Sequence, residues 1–268
     1  MAKQSAQQDR NFDDLAQRFK KNIYGGLKGD IRLAVLERDC RAALPVHPWQ
    51  GDNPKPWRIL DAGGGQGQFS LQWAKKGHSV VICDISAEML KLAAEQVEEQ
   101  NLSDRVELIH ASVQDLHLHI ANQHFDFVIC HAVMEWLHEP QFLLPQLLNY
   151  LAPKGFLSLT FYNLHSLIYK NLLRTNFKKI IDEDFGGARG SLTPINPQRP
   201  EQVLAWVEQL PMEVLCHSGI RVFHDYIFNE EHRARDPENL VKMELEFSRQ
   251  EPYRSLGRYI HLLLQRNN

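Results

Sequence analysis

Between residues 59 and 69 the chain reads ILDAGGGQGQF, with four glycines crowded into five positions just after an aspartate. Glycine leaves the backbone bare, so this loop either turns sharply from strand to helix or brings N–H groups close to a ligand. A dinucleotide loop needs its third glycine three residues after the second. Position 68 is Gln, and the actual spacing is Asp61, Gly63, Gly65, Gly67, with Gly64 inside it. Further along, Asp84 closes the run SVVICD. Val113 and Gln114 lie in ASVQD, and His131 closes FDFVICH. Arg221, His224 and Tyr226 fall together in GIRVFHDY, and Tyr162 follows LSLTF. Each has an ordinary explanation by itself: a tight turn, a helix cap, a solvated glutamine, a core histidine, a packing tyrosine. Their recurrence at the ends of successive apolar runs points to a ligand.

Those runs define the elements that must carry the chemistry. RILDA, SVVICDI, RVELIHA, FDFVICHAV and FLSLTFYN are short, nearly continuous apolar stretches, as buried parallel strands require. Helical segments alternate with them: GQFSLQWAKKG ending at Gly77, SAEMLKLAAEQVEEQ with Ser86 as its N-cap, and QFLLPQLLNYLAPKG ending at Gly155. Strand–helix alternation predicts an α/β fold, a mostly parallel sheet with helices on both faces. In such sheets ligands bind at the carboxyl ends of the strands, where the glycine loop sits. Residues 12–46 are expected to be a helical N-terminal extension, followed by a proline-rich connector over 45–57. The segment 164–200 breaks the rhythm with an amphipathic helix and a polar, basic loop. MEVLCHSGIRVFHDY is expected to be extended, DPENLVKMELEFSRQ helical and RYIHLLLQ a last strand. The whole, 1–268, is read as one domain.

Bulk properties narrow the classes. The chain has 268 residues, 43% hydrophobic and 24% charged, enough to build a sizeable core. A net charge of −3 gives no global basic field, so any nucleic-acid surface has to be local. The four cysteines are dispersed without a Cys-x-x-Cys pair, which argues against zinc, and no metal site is expected. No apolar run reaches the ~18 residues of a membrane span, and the N-terminus has no signal-peptide core, so a cytoplasmic location without membrane association is expected.

The Asp61/Gly63/Gly65/Gly67 spacing resembles the first motif of class I S-adenosylmethionine-dependent methyltransferases. Several longer stretches are more specific: DRNFDDLAQRFKKNIYGGLKGDIR, HAVMEWLHEP, LSLTFYN, GIRVFHDY and EPYRSLGRYIH. Together, over residues 9–265, they resemble the bacterial tRNA 5-carboxymethoxyuridine methyltransferases. The resemblance implies a Rossmann-like fold with a seven-stranded sheet and S-adenosyl-L-methionine as cofactor. It implies esterification of the carboxylate of 5-carboxymethoxyuridine at the wobble position, U34, in a tRNA anticodon stem-loop; DNA is not an expected partner. It also implies that Arg32, Asp61, Gly63, Gly64, Gly65, Asp84, Val113, Gln114 and His131 meet the cofactor. Arg32 would pair with the methionine carboxylate, because a guanidinium binds carboxylates bidentately.

A carboxylate nucleophile needs no general base, since its pKa near ~4 leaves it ionised at neutral pH. The protein then has to supply position and electrostatics. Consistently, the strand-end sequence HAVMEW is not the asparagine–proline–proline–aromatic motif of amine-methylating enzymes. Arg221, His224, Tyr162 and Tyr226 are the candidates for holding the anion. For the RNA, Lys170, Arg174, Lys178, Lys179, Arg189 and Arg199 outnumber the acids Asp182, Glu183 and Asp184, and Arg18, Lys20, Lys21 and Lys28 add charge near the N-terminus. Two other functions stay open at this point: a small-molecule carboxyl or oxygen methyltransferase on the same core, and a non-catalytic binding protein. An inert relative would be expected to lose the glycine spacing or Asp84, and both are intact.

Overall fold

The computed structural model describes Asp9, Asn11, Asp13, residues 26–45, Trp49, 55–187 and 193–268. Arg18, Lys20, Lys21 and Arg189, part of the N-terminal helical extension and most of the proline-rich connector lie outside the described residues.

Seven strands form one sheet: β1 (Arg58–Ala62), β2 (Ser79–Asp84), β3 (Val106–His110), β4 (Phe125–His131), β5 (Leu151–Tyr162), β6 (Met212–Ile220) and β7 (Tyr259–Arg266). Their order is β3-β2-β1-β4-β5-β7-β6. The first five are mutually parallel, while β7 runs antiparallel to both β5 and β6. The order reverses between β1 and β4, with β2 and β3 to one side, so the crevice over the carboxyl ends of these strands is the expected ligand position.

Period-two alternation feeds two cores. Leu60 and Ala62 face one together with Val128, Cys130 and Leu157, and Ile59 faces the other with Ile82, Phe127 and Ile129. The first is covered by helices at Leu143–Leu148 and Pro200–Glu208, the second by helices at Leu27–Ala43, Leu71–Lys75, Ala87–Glu99 and Leu164–Leu173. Among the described residues, the α-helices in chain order are α1 (Leu27–Ala43), α2 (Leu71–Lys75), α3 (Ala87–Glu99), α4 (Leu143–Leu148), α5 (Leu164–Leu173), α6 (Phe177–Ile181), α7 (Pro200–Glu208), α8 (Glu230–Ala234) and α9 (Pro237–Phe247). Cys83 and Cys130 are fully buried among apolar side chains, as small hydrophobes.

Three sequence expectations need correction. The helix expected to run to Gly155 stops at Leu148, and β5 already begins at Leu151. Leu151 is paired with Phe125, and the register then slips so that Phe156 meets Phe127; Ala152–Gly155 is extra chain in the strand, with Lys154 at φ 62°. The strand pairing captures backbone that local apolar periodicity assigns to a helix. Similarly, GIRVFHDY is not extended throughout. β6 ends at Ile220, Arg221 takes φ 60°, and His224–Tyr226 form a 3₁₀ turn. The single amphipathic helix expected after residue 164 is broken into α5 and α6, with Thr175 at φ 57° between them.

Candidate active site

The glycine loop turns off the end of β1 and is pinned to β2: the N–H groups of Gly63 and Gly64 both donate to the Cys83 carbonyl, at 2.9 and 3.0 Å. Gly63 and Gly65 both have positive φ, 72° and 57°. A Cβ on Gly63 would strike Val133 Cγ2, and one on Gly65 would lie 2.7 Å from Met89 Cε. A Cβ on Gly64 would come 2.5 Å from the Asp61 carboxyl carbon. Positive φ at Gly63 and Gly65 and the close neighbours of Gly63 and Gly64 disfavour side chains here, and the loop's backbone lines an open cleft. Asp61 is buried beneath it; burial, opposed by Ser70 and reinforced by Asp84, pushes its carboxyl up to about 7.

Asp84 stands at the end of β2. The N–H of Gly65 donates to its Oδ2 and the N–H of Ser86 to its Oδ1, each at 2.8 Å. Burial raises its carboxyl while these two amides pull the other way. Each oxygen has one amide donor here and can accept again, so the carboxyl is oriented for two further hydroxyls. Ser86 also caps α3, accepting from the N–H of Met89 at 3.2 Å.

A cleft runs along the strand ends, lined by Gly63–Gln66, Asp84, Ala111–Gln114 and His131–Val133, and by Asp9. Asp9 ties two of its walls together, accepting from Gln114 Nε2 at 2.6 Å and from the His138 amide at 2.8 Å. At the other end, His131 packs against Phe69 at 5.2 Å, and burial holds its imidazole well below the usual range. His131 Nε2 meets Ser158 Oγ at 2.7 Å, Ser158 Oγ meets His261 Nε2 at 2.9 Å, and His261 Nδ1 meets Asp39 Oδ2 at 2.8 Å. Arg38 and Arg249 close this buried chain on Asp39 Oδ1, at 2.7 and 2.6 Å. With Asp39 ionised, His261 donates to it from Nδ1; in the tautomer with Nε2 unprotonated, His261 accepts from Ser158, which in turn accepts from His131 Nε2–H. That sequence leaves His131 Nδ1 as an acceptor.

Beyond His131 the surface becomes cationic. Arg32, on α1 and buried, stacks over the Tyr259 ring at 4.2 Å, and Arg221 lies over the same ring at 5.5 Å. Asp225 Oδ2 is shared between Arg221 Nη2 and Arg258 Nε, both at 3.5 Å, while its Oδ1 meets His224 Nδ1 at 2.9 Å. Burial alone would raise the Asp225 carboxyl, but Arg221, His224 and Arg258 hold it well below the carboxylate range. The loop is fastened by Glu244 of α9, fully buried, whose oxygens accept from the amides of Val222, Phe223 and His224 at 2.6, 3.1 and 2.7 Å.

The sequence-selected residues thus divide. Asp61, the three glycines, Asp84, Val113, Gln114 and His131 lie in or under the cleft, and Arg32 stands beside Tyr259. Arg221, His224 and Tyr162 gather at the cationic end. Tyr226 Oη is engaged with Ser166 Oγ at 2.9 Å and the Leu256 carbonyl at 2.6 Å. Sequence reasoning passed over Glu135, Arg258 and Glu244. Glu135 is fully buried, neither of its oxygens has a hydrogen-bond partner among the described residues, and burial, opposed by Arg32, pushes it up to about 7. An acid inside the apolar stretch HAVMEW was the available signal. No metal-ligating cluster occurs among the described residues, and no helix of theirs is long and apolar enough to cross a membrane.

Comparison with known proteins agrees with this geometry. Residues 59–155 match a family described as a methyltransferase domain. Magnesium protoporphyrin IX methyltransferase from Synechocystis, solved with bound S-adenosylhomocysteine, superposes with a TM-score of 0.58 at 18% identity over 96% of both chains, which shows the shared fold. Ubiquinone biosynthesis O-methyltransferase from Psychrobacter cryohalolentis is 34% identical over 37% of this chain and 38% of its own. The tRNA 5-carboxymethoxyuridine methyltransferase of Escherichia coli K12 is 41% identical over 95% of both chains. At that identity and coverage, the chain belongs to the tRNA 5-carboxymethoxyuridine methyltransferase family.

Proposed function

We propose that this enzyme esterifies the carboxylate of 5-carboxymethoxyuridine at the wobble position of tRNA. Membership of the family makes the chain an S-adenosylmethionine-dependent methyltransferase acting on tRNA. When bound, S-adenosylmethionine supplies an electrophilic methyl group. The residues present fit it: a glycine loop that disfavours side chains, a carboxylate aimed for a diol, and a buried arginine near a buried glutamate. In this reading Asp84 holds the ribose hydroxyls and the Val113–Gln114 loop holds the adenine edge. Arg32 takes the amino-acid carboxylate, with His131 Nδ1 and Glu135 as acceptors for the ammonium. Asp61 supports the loop from beneath.

The observation that carries the substrate assignment is the cationic cluster of Arg221 and Arg258 over Tyr162 and Tyr259. Thr160 pairs with His131, and Tyr162 stands two residues further out on the same strand, roughly 7 Å along it. An anion held there lies next to the methionine end of the cleft. A carboxylate is already charged at neutral pH, so these residues hold and orient it and none has to remove a proton. His224 and Tyr226 act in this reading by fixing the loop and α5.

The anticodon stem-loop is accommodated by a surface beside this cluster. Tyr169, Phe177 and Phe228 are exposed there, Arg174 stacks over Phe228 at 5.1 Å, and Lys178 and Lys179 lie on α6. Exposed rings among cations suit unstacked loop bases, and neither DNA nor a membrane is required. A tRNA substrate fits a cytoplasmic enzyme. We read the N-terminal helix and the 164–200 insertion as parts of one domain that frame this site. Nucleoside mass spectrometry of tRNA from a deletion strain tests the function: 5-carboxymethoxyuridine should accumulate and its methyl ester disappear. An undiminished ester would refute it.

A further inference from the structure

Around Asp225, among the described residues, the guanidinium groups are incompletely paired. Arg221 and Arg258 share one oxygen of a single carboxylate, both at 3.5 Å. Lys28 and Lys170 are close enough for their ammonium groups to feel the same charges. The neighbouring Glu244 spends both oxygens on backbone amides. Cations removed from water without enough partners are costly, so such a cluster calls for another anion. Two polar atoms there are buried without a hydrogen-bond partner among the described residues: Tyr162 Oη, on a side chain only 2% exposed, and Arg258 Nη1. They belong together, because the Arg258 guanidinium lies over the Tyr162 ring at 4.5 Å. Asp225 cannot satisfy both: its Oδ1 is taken by His224, and Oδ2 meets Arg258 through Nε, not Nη1.

We infer that Arg258 Nη1 and Tyr162 Oη form the grip for the oxyanion of the substrate, with Arg221 and Asp225 as the frame that positions Arg258. This rests on the proposed function and names the residues that would select the acidic base. Two donors on one side of the anion leave its second oxygen free for methyl transfer, whereas complete pairing would stabilise the ground state and blunt the nucleophile. Lys170, which burial and then Arg258 push down to about 8, adds charge at the mouth without closing it. An oxyanion can come from the modified base or from an RNA phosphate; the position one strand step beyond His131 favours the base.

The test compares Arg258→Gln and Tyr162→Phe with wild type on two tRNAs. One carries 5-carboxymethoxyuridine and the other carries 5-methoxyuridine, which keeps the ether but lacks the carboxylate. Binding is measured for both tRNAs, ester formation on the first, and S-adenosylmethionine affinity by calorimetry. Wild type should favour the carboxylate tRNA, and Arg258→Gln should reduce that preference by about ten- to a hundredfold, the size of a lost hydrogen bond to a charged group. Tyr162→Phe, which also removes a donor to the carboxylate, should reduce it to a similar extent, about ten- to a hundredfold, with cofactor affinity unchanged in both. Tyr162→Phe removes only an unpartnered hydroxyl, so it reports even if Arg258→Gln does not fold. Preference retained in the folded variants overturns the grip. Equal weakening on both tRNAs assigns these donors to a phosphate and likewise overturns it. A wild-type enzyme that forms no ester on the first tRNA overturns the proposed function itself, a result the variants alone cannot produce.

Discussion

Glu244→Gln should loosen the loop that presents Arg221 while leaving the cofactor cleft intact. The carboxylate is fully buried and satisfies three consecutive backbone amides, of which Val222 and His224 belong to residues only 2% exposed. A glutamine has one acceptor oxygen. In its better orientation it keeps Phe223 and His224 and turns an NH₂ toward the Val222 N–H. Leaving that amide unsatisfied costs about 1–3 kcal/mol, and turning the other two bonds from charge-assisted to neutral costs about 1 kcal/mol each. Burial raises the Glu244 carboxyl, so removing the charge recovers part of this. The net loss should be about 2–4 kcal/mol, against a total stability of about 5–15 kcal/mol, so the variant stays folded with a lower urea midpoint. Arg221 sits at φ 60°, a conformation a non-glycine residue holds only when its surroundings impose it. Released, Arg221 should relax toward ordinary backbone angles and take Asp225 and Arg258 out of register. Urea unfolding followed by circular dichroism gives the stability, and kcat/KM for tRNA with calorimetric S-adenosylmethionine affinity gives the function. The expectation is a tenfold or greater fall in kcat/KM with cofactor affinity unchanged. An unchanged midpoint together with kcat/KM within twofold of wild type would refute the reasoning.

Asp84→Ala should weaken S-adenosylmethionine binding by about 1.5–3 kcal/mol, measured by calorimetry on the folded variant; unaltered affinity removes Asp84 from the ribose site. Neutralising Arg174, Lys178 and Lys179 together should weaken tRNA binding and flatten its salt dependence, since fewer counterions are released; an unchanged slope marks them as solvated surface only. The single-turnover rate should be nearly flat from about pH 6 to 9, because a carboxylate near pKa ~4 stays charged throughout. KM for tRNA should rise above about pH 8 as Lys170 loses its proton, and Lys170→Arg should abolish that rise. Burial works against the Asp39 carboxylate, yet His261 and Arg38 hold it well below 3.8. Its stabilising contribution is therefore present above the unfolded pKa near ~4 and lost as pH falls below it. Wild-type urea midpoints should drop more steeply below pH 4 than those of Asp39→Asn, and parallel curves would show that Asp39 is not the linked group.

The half of the molecule that builds the glycine-loop cleft was legible in the sequence because its signals are local. A glycine that must adopt positive φ, a carboxylate at a strand end and a serine cap are each written within a few residues of where they act, and β1 to β5 align them by parallel pairing alone. Gly63, Gly65, Asp84 and Ser86 stand where that logic puts them. The boundaries that went astray were those decided by partners distant in the chain. Leu151 leaves the helical pattern because Phe125 offers a strand edge, and Arg221 leaves the extended one because Glu244 holds the amides that follow it. The cationic grip was the least legible part. Arg258 lies 96 residues from Tyr162, and only the antiparallel pairing of β7 with β5 sets Tyr259 opposite Tyr162 and so brings Arg258 over the ring. Composition shows a chain slightly acidic overall. That Arg221 and Arg258 share one oxygen of Asp225 in a buried corner is decided by tertiary packing, since electrostatic energy depends on distance and burial and not on order along the chain.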